Sequence, residues 1–373
     1  MKTKFFDDIE RLRGFACILV LIQHIAWICP LRFIHMILPY NLLDGRGAVR
    51  IFFAISGFVI TLSLKNKLGS LKGNVFLERI ISAKELILSF YRKRFFRILP
   101  VVLFIAVLMG IYLYFTEEDT AWFPTLLRSL IEIFFGVYNN SVELFVSTEK
   151  IHKLGFGPFW TLAIEAQFYI FWPMVLLFCK NDNVRALVSL LSGLAFLFII
   201  SPWIAALYGL KYYLIYNNLS ELFLGSFLAF LYQENYPYKP GGKCIKFISL
   251  IFAAIIWFYS SSMDDSFFSR IVPSLASIFV VALAVFAEGS FNVPVLGRLF
   301  DFLGSRSYSF YAVQLFLANV VSGYVNSVYF PQNAFSEYEL ELYQFGIFMV
   351  FLFVVTELVY RFIEKPFRKF GQK

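Results

Sequence analysis

The chain has 373 residues, of which 59% are hydrophobic, 20% aromatic and only 16% charged, with a mean hydropathy of +0.70. The interior of a soluble domain has no room for so much apolar surface, and several runs exceed the about 18 apolar residues that mark a membrane helix. A soluble globular protein is thereby excluded, and an all-α polytopic membrane protein is expected. The formal charge of +8 is spread over the segments between apolar runs, so it reads as topology rather than as a nucleic-acid surface.

In chain order, the first apolar run covers 14–34, after Arg11 and Arg13. Its basic-then-apolar pattern resembles a secretory signal. It lacks a small-residue cleavage site, however, and stays apolar through "ICPLRFIHMIL", so it reads as a retained first span. Further spans are expected at 48–64, 98–115, 159–179, 187–209, 219–232, 247–260, 271–287, 308–328 and 342–362. The run at 219–232 is short and is expected to extend into its flanks. The stretch 122–146 carries Arg128, Glu132 and two asparagines and reads as an amphipathic surface helix rather than an eleventh span.

Loop charge decides the orientation. With ten spans and both termini cytoplasmic, the inner segments hold 25 of the 33 Lys and Arg residues, 9 of them in a basic loop at 65–97. The outer loops are acidic instead, with "TEEDT" at 116–120, "MDD" at 263–265 and "SEYELE" at 336–341. That asymmetry is the expected sign of cytoplasmic positive charge. The chain therefore reads as one integral-membrane domain, 1–373, with no fused soluble domain. Cys17, Cys29, Cys179 and Cys244 have no metal-binding spacing, and Cys17 and Cys29 stand too far apart along one helix to pair. They read as small buried apolar residues, and no metal site is expected.

Three stretches carry residues that a membrane span does not need. In "RLRGFACILVLIQHI", Arg13 and His24 are eleven residues apart. On a helix they lie about 20° apart around the axis and about 16 Å apart along it. Arg13 then sits at the cytoplasmic edge and His24 near the middle of a core about 30 Å thick. An imidazole at that depth faces a cavity or a partner, or is a neutral group bonded to another helix. In "YRKRFFRILP", Lys93 reads as a topology anchor, whereas Arg92, Arg94 and Arg97 offer planar forks that grip phosphate oxygens. In "GPFWTLAIEAQFYIFWP", Trp160 reads as an outer-interface aromatic. Glu165 follows about 8 Å below it, either orienting the imidazole or a hydroxyl, or staying protonated and structural.

These stretches resemble, in order, the motifs of the membrane-bound acyltransferase-3 family. "IERLRGFACILVLIQH" is similar to its opening motif, and "VRIFFAISGFVIT" to its second, with Phe53, Ser56, Gly57 and Phe58 matching. "RKRFFRILP" resembles the arginine-rich entry to the third span, and "FWTLAIEAQFYIFWP" the element that contains Trp160, Glu165 and Tyr169. "ELFLGSFLA", "LGSRSYSFYAVQ" and "FIEKPF" echo later elements.

The resemblance implies transfer of an acyl group, most often acetyl, from cytoplasmic acyl-coenzyme A to a hydroxyl of an envelope or exported carbohydrate or glycolipid. It implies a multi-pass protein of a cell membrane, the bacterial inner membrane foremost, with acyl-coenzyme A as co-substrate and no bound cofactor. His24 would be the general base, and Glu165 would orient it or the sugar. Arg13, Arg92, Arg94 and Arg97 would bind the donor. Ser56, Tyr169, Tyr308 and Gln314 would lie at or behind the substrate.

Two departures stand out. The family often has a second histidine where this chain has Gln314, and glutamine cannot shuttle a proton. A polar residue often precedes the tryptophan, where Phe159 stands here; His152 nearby is a candidate substitute, and His35 reads as interfacial and inert. A proton-coupled transporter or flippase is the competing reading, although no repeated halves of the kind transporters show are visible.

Overall fold

The computed structural model describes residues 6–28, 46–68, 76–116, 122–135, 157–179, 181–208, 210–233, 242–260, 267–292, 296–329 and 337–372. Among these residues the secondary structure is helical, with no strand. That is the economical answer for an apolar chain, since a helix satisfies its own backbone where no water can. The helices are α1 (Asp7–Ile28), α2 (Arg46–Leu68), α3 (Phe76–Thr116), α4 (Trp122–Phe134), α5 (Trp160–Phe178), α6 (Asp182–Ala195) and α7 (Ser201–Tyr208). They continue with α8 (Leu210–Leu231), α9 (Lys243–Ser260), α10 (Phe267–Phe286), α11 (Gly297–Ser305), α12 (Ser307–Tyr329), α13 (Glu337–Val359) and α14 (Lys365–Phe370). A 3₁₀ turn at Gly157–Phe159 precedes α5, and π-helical turns at Phe196–Ile200 and Tyr360–Glu364 join α6 to α7 and α13 to α14.

Over the described residues, each apolar run read from the sequence falls on one of these helices or helix pairs; residues 29–34 of the first run lie outside them. Among the described residues, five stretches are long and apolar enough to cross a membrane: Gly47–Leu68, Ile81–Thr116, Gly157–Phe178, Asp182–Ile204 and Glu341–Phe370. The short run at 219–232 does extend into its flank, as part of the 22-residue α8.

The cytoplasmic loop expected at 65–97 is a correction. Residues 76–97 are the first half of α3, which runs unbroken for 41 residues. The segment from 76 to 99 has no Gly or Pro and is rich in Leu, Ile, Glu, Lys and Arg, all good helix formers. At about 1.5 Å per residue such a helix reaches about 60 Å, twice the hydrocarbon thickness.

Helix α4 has 13 residues and buries Leu126, Ser129 and Ile133. Arg128 pairs with Glu132 at 2.8 Å. Over these residues it is about 20 Å long. Residues 136–146 of that expected element, and also His35 and His152, lie outside the described residues.

The chain forms two compact units, one of residues 1–19, 44–88 and 168–305, the other of 20–43, 89–167 and 306–373. At the centre of the first, α2 and α8 cross in backbone contact. A Cβ on Gly57 would stand 2.0 Å from the Leu222 carbonyl oxygen, and one on Gly225 would stand 2.1 Å from that of Ala54. Beside this crossing Thr61 donates to Ser226 Oγ at 2.8 Å, and the Trp172 indole donates to Thr61 at 2.8 Å. Helix α11 closes on the start of α1 in the same way, with a Cβ on Gly14 2.2 Å from the Phe300 carbonyl oxygen and one on Gly304 1.8 Å from that of Glu10. Arg11 donates to Asp301 at 3.0 Å. Asp8 accepts from the backbone N–H groups of Gly289, at 2.5 Å and with φ 84°, and Ser290, at 3.0 Å.

In the second unit α12 packs along α13. Arg306 pairs with Glu357, which Arg361 also holds, and the Ser309 hydroxyl donates to the buried Glu364 at 2.6 Å. Helix α14 turns back on α3, with Phe370 edge-on to Phe96 at 4.9 Å between centroids.

Candidate active site

Helix α1 carries Arg13 and His24 without a break. Arg13 is ion-paired to Glu10, one turn earlier, at 2.6 Å. His24 lies on the part of α1 that belongs to the second unit. Its ring is half-buried, and its buried Nδ1 has no hydrogen-bond partner among the described residues. An unsatisfied imidazole nitrogen in an apolar helix is costly unless a ligand or water completes it.

The arginine stretch lies on α3. Taking about 100° per residue, Lys93, Arg94 and Arg97 share an arc of about 100°, and Arg92 falls outside it. Arg92 is exposed, whereas Arg94 and Arg97 are half-buried. The Arg94 guanidinium lies 5.4 Å from the Phe90 ring centroid. The four cations are thus not one cluster: the fork pair is Arg94 and Arg97.

Two tyrosines one turn apart on α12 organise the second unit. Tyr308 donates its hydroxyl to the Ile98 carbonyl at 2.8 Å, one residue beyond Arg97. Tyr311 donates to the Pro158 carbonyl at 2.8 Å and lies 3.2 Å from Thr161 Oγ1. The arginine-bearing turn of α3 and the entry to α5 therefore engage neighbouring turns of one helix. Glu165 is four residues beyond Thr161 on the same face of α5, half-buried, and within electrostatic reach of Tyr311. Gln314 follows Tyr311 by one turn. Its side chain is fully buried, and neither amide atom has a hydrogen-bond partner among the described residues.

The structure thus gathers His24, Arg92, Arg94, Arg97, Glu165, Tyr308 and Gln314 into the second unit. It puts Arg13, Ser56 and Tyr169 in the first. Ser56 is half-buried next to Gly57, and Tyr169 is buried. No group of His, Cys, Asp and Glu suited to a metal ion occurs among the described residues.

Sequence reasoning missed a polar cluster in the first unit. Arg50 pairs with Glu221 at 2.8 Å, both almost fully buried, and also bonds Ser274. Ser220 donates to Glu221 at 3.0 Å, and Asn217 to Ser274 at 3.3 Å. The signal was available: Arg50 and Glu221 are opposite charges inside separate apolar runs, and such charges persist in a membrane only when paired.

Comparison with known proteins gives the family. The profile of the acyltransferase-domain family, acyltransferase-3, matches residues 6–361, and the chain belongs to that family of membrane acyltransferases. O-acetyltransferase OatA of Staphylococcus aureus strain NCTC 8325 is 26% identical over 390 residues, covering 99% of this chain and 58% of its own length. OatA of strain COL matches equally, at 26% over 390 residues, with 99% and 58% covered. The chain thus spans a little under three fifths of the length of these curated relatives. No solved structure matches the chain.

Proposed function

We propose that this chain moves an acyl group, acetyl foremost, from cytoplasmic acyl-coenzyme A to a hydroxyl of a carbohydrate, glycolipid or related envelope or exported acceptor, with His24 as general base. The observation that carries the reading is the His24 ring: an ionisable group within an apolar helix, with a buried nitrogen that nothing among the described residues satisfies. Groups at such depth serve a cavity or a partner, and the family to which the chain belongs is defined by an acyltransferase domain. The name of the OatA relatives favours acetyl as the group and oxygen as its destination. Ten spans with both termini cytoplasmic, in a bacterial inner membrane, belong to the same proposal and are supported by the basic inner segments.

In this mechanism the acceptor hydroxyl attacks the thioester carbonyl while the free nitrogen of His24 takes its proton. The C–S bond then breaks, coenzyme A leaves as a thiolate, and the imidazolium returns the proton to that sulfur. Positioned general acid–base catalysis of this kind contributes about 10²- to 10⁴-fold. Arg94 and Arg97 grip the donor phosphates, with Arg92 in supporting contact. Glu165 orients the imidazole or the acceptor. Tyr308 holds the arginine-bearing turn in place.

The test is mass analysis of surface glycans, lipids and secreted metabolites from cells producing the wild-type chain, the His24→Phe variant, or neither. The expected result is one species heavier by an acyl group, present with wild type alone. A variant that still acylates at the wild-type level removes His24 from the chemistry. Failed export of an unmodified substrate makes the protein a transporter instead.

A further inference from the structure

A buried amide is a poor filler for a membrane helix. Gln314 lies on α12, fully buried, and among the described residues no group reaches its Oε1 or its Nε2. Its two N–H donors and its acceptor oxygen are desolvated without compensation, a condition that native structures rarely leave unanswered. Leucine or methionine would fill the same volume without that penalty. Such a residue is expected where the missing partner arrives with a ligand.

The position says which part of a ligand. One turn earlier on α12, the Tyr311 hydroxyl is fixed to Pro158 and Thr161 at the entry to α5, and Tyr308 is fixed beside Arg97. Gln314 therefore belongs to the compact unit that holds His24, Glu165 and the arginine pair. His24 is the base of the proposed reaction, and the arginines are on the phosphate side of the donor. The group in a thioester that still needs a donor is its carbonyl oxygen, where negative charge develops during attack. An amide N–H already stripped of water is suited to that oxygen, because it need not reorganise as the charge forms.

We propose that Gln314 is the hydrogen-bond donor to the acyl carbonyl, its Nε2–H group stabilising the oxyanion of the tetrahedral intermediate. The inference rests on the acyltransferase reading above and assigns a role within it. As the acceptor oxygen bonds to the carbonyl carbon, the C=O electron pair moves onto oxygen and is held by Nε2–H. It returns as the C–S bond breaks and coenzyme A departs. Gln314 neither gains nor loses a proton in this cycle, so a residue that cannot shuttle protons suffices at this position.

The experiment compares wild type, Gln314→Met and Gln314→His, each purified and reconstituted in lipid. The probes are acetyl-coenzyme A and envelope glycans isolated from cells lacking the gene; the readouts are thiol release, product mass and thermal unfolding. Gln314→Met is expected to lose about 10²- to 10³-fold in kcat, with KM for acetyl-coenzyme A little changed and melting at or above the wild-type temperature. Gln314→His, which restores an N–H donor of similar reach, is expected to recover most of the turnover.

A methionine variant with wild-type kcat overturns the proposal. So does one whose lower activity comes with lower melting, because the amide then acts as a structural group satisfied by internal water. A histidine variant as slow as the methionine variant also counts against a hydrogen-bond donor. A wild type inert toward acetyl-coenzyme A and these glycans overturns both this inference and the reading it rests on, whereas turnover by wild type and Gln314→Met alike overturns this inference alone.

Discussion

Tyr311 holds the carbonyl of Pro158 with its hydroxyl at 2.8 Å, and that bond links two stretches that lie far apart in the chain. Pro158 opens the element with Glu165; Tyr311 stands three residues after Tyr308, whose own hydroxyl reaches the residue beyond Arg97. Helix α12 is in this way the common support of the arginine turn and the carboxylate helix. A donor held by the arginines and a hydroxyl oriented by Glu165 would be positioned by one element.

The arginines are expected to differ in weight. If Arg94 and Arg97 hold the donor as proposed, replacing either with Gln would remove a charge-assisted contact of about 1.5–3 kcal/mol, and KM for acyl-coenzyme A should rise by about 10- to 100-fold. Arg92 is exposed and lies off the arc shared by the other two, and Arg92→Gln should change KM only a few-fold. Steady-state kinetics on the three variants decide this, and equal losses at all three positions would remove the distinction.

The Arg50–Glu221 pair has almost no solvent contact. Arg50→Leu alone strands a buried carboxylate and should destabilise the chain by about 3–5 kcal/mol, whereas replacing both with leucine should be close to neutral. Unfolding in detergent micelles measures the difference. A double variant no more stable than the worse single one would show that the pair is not the unit of stability.

The helix crossing predicts an equally sharp contrast. Gly57→Ala and Gly225→Ala place a methyl group about 2 Å from a backbone oxygen, a clash that only backbone movement relieves, at about 1–3 kcal/mol or more. Gly346→Ala, on exposed α13 with nothing within 4 Å, should instead raise stability by up to about 1 kcal/mol through helix propensity. Melting temperatures of the three variants should fall on opposite sides of the wild type, and a common sign would contradict the close approach.

Asp8 gives the start of α1 a pH response. Its burial lifts the carboxyl above the ordinary aspartate value of 3.8, against the Gly289 N–H bond and Arg11, which pull it down. The folded chain then keeps this proton after the unfolded chain has released it. The contribution to stability is full below 3.8 and is lost as pH rises through the native value. Asp8→Asn should flatten the fall in melting temperature just above that value; an unchanged slope would assign it to other groups.

Much of the architecture was legible because hydrocarbon permits few structures: an apolar run of sufficient length is a helix whatever it packs against. The error at 65–97 came from treating charge as a loop signal, although Glu, Lys and Arg are good helix formers and a helix may leave the bilayer without ending. Arg13, His24, Glu165 and the arginines were visible as polar residues in apolar company. What the sequence hid were relations between distant segments. Nothing in "YRKRFFRILP" says that Arg92 lies off the arc of Arg94 and Arg97 until the helix is drawn. Nothing near Tyr311 points to Pro158, because a tyrosine hydroxyl chooses its carbonyl only after the helices have packed.

Where α2 passes α8, polypeptide touches polypeptide with no cushion of side chains between them. Side chains yield by rotating about their own bonds, and a peptide plane has no such give. Ser56, next to that contact, is therefore mounted on an unyielding wall, and a substrate that docked against it would have to bring the matching shape. Selectivity on this side would be that of a mould rather than a glove, with the acceptor supplying the adjustment.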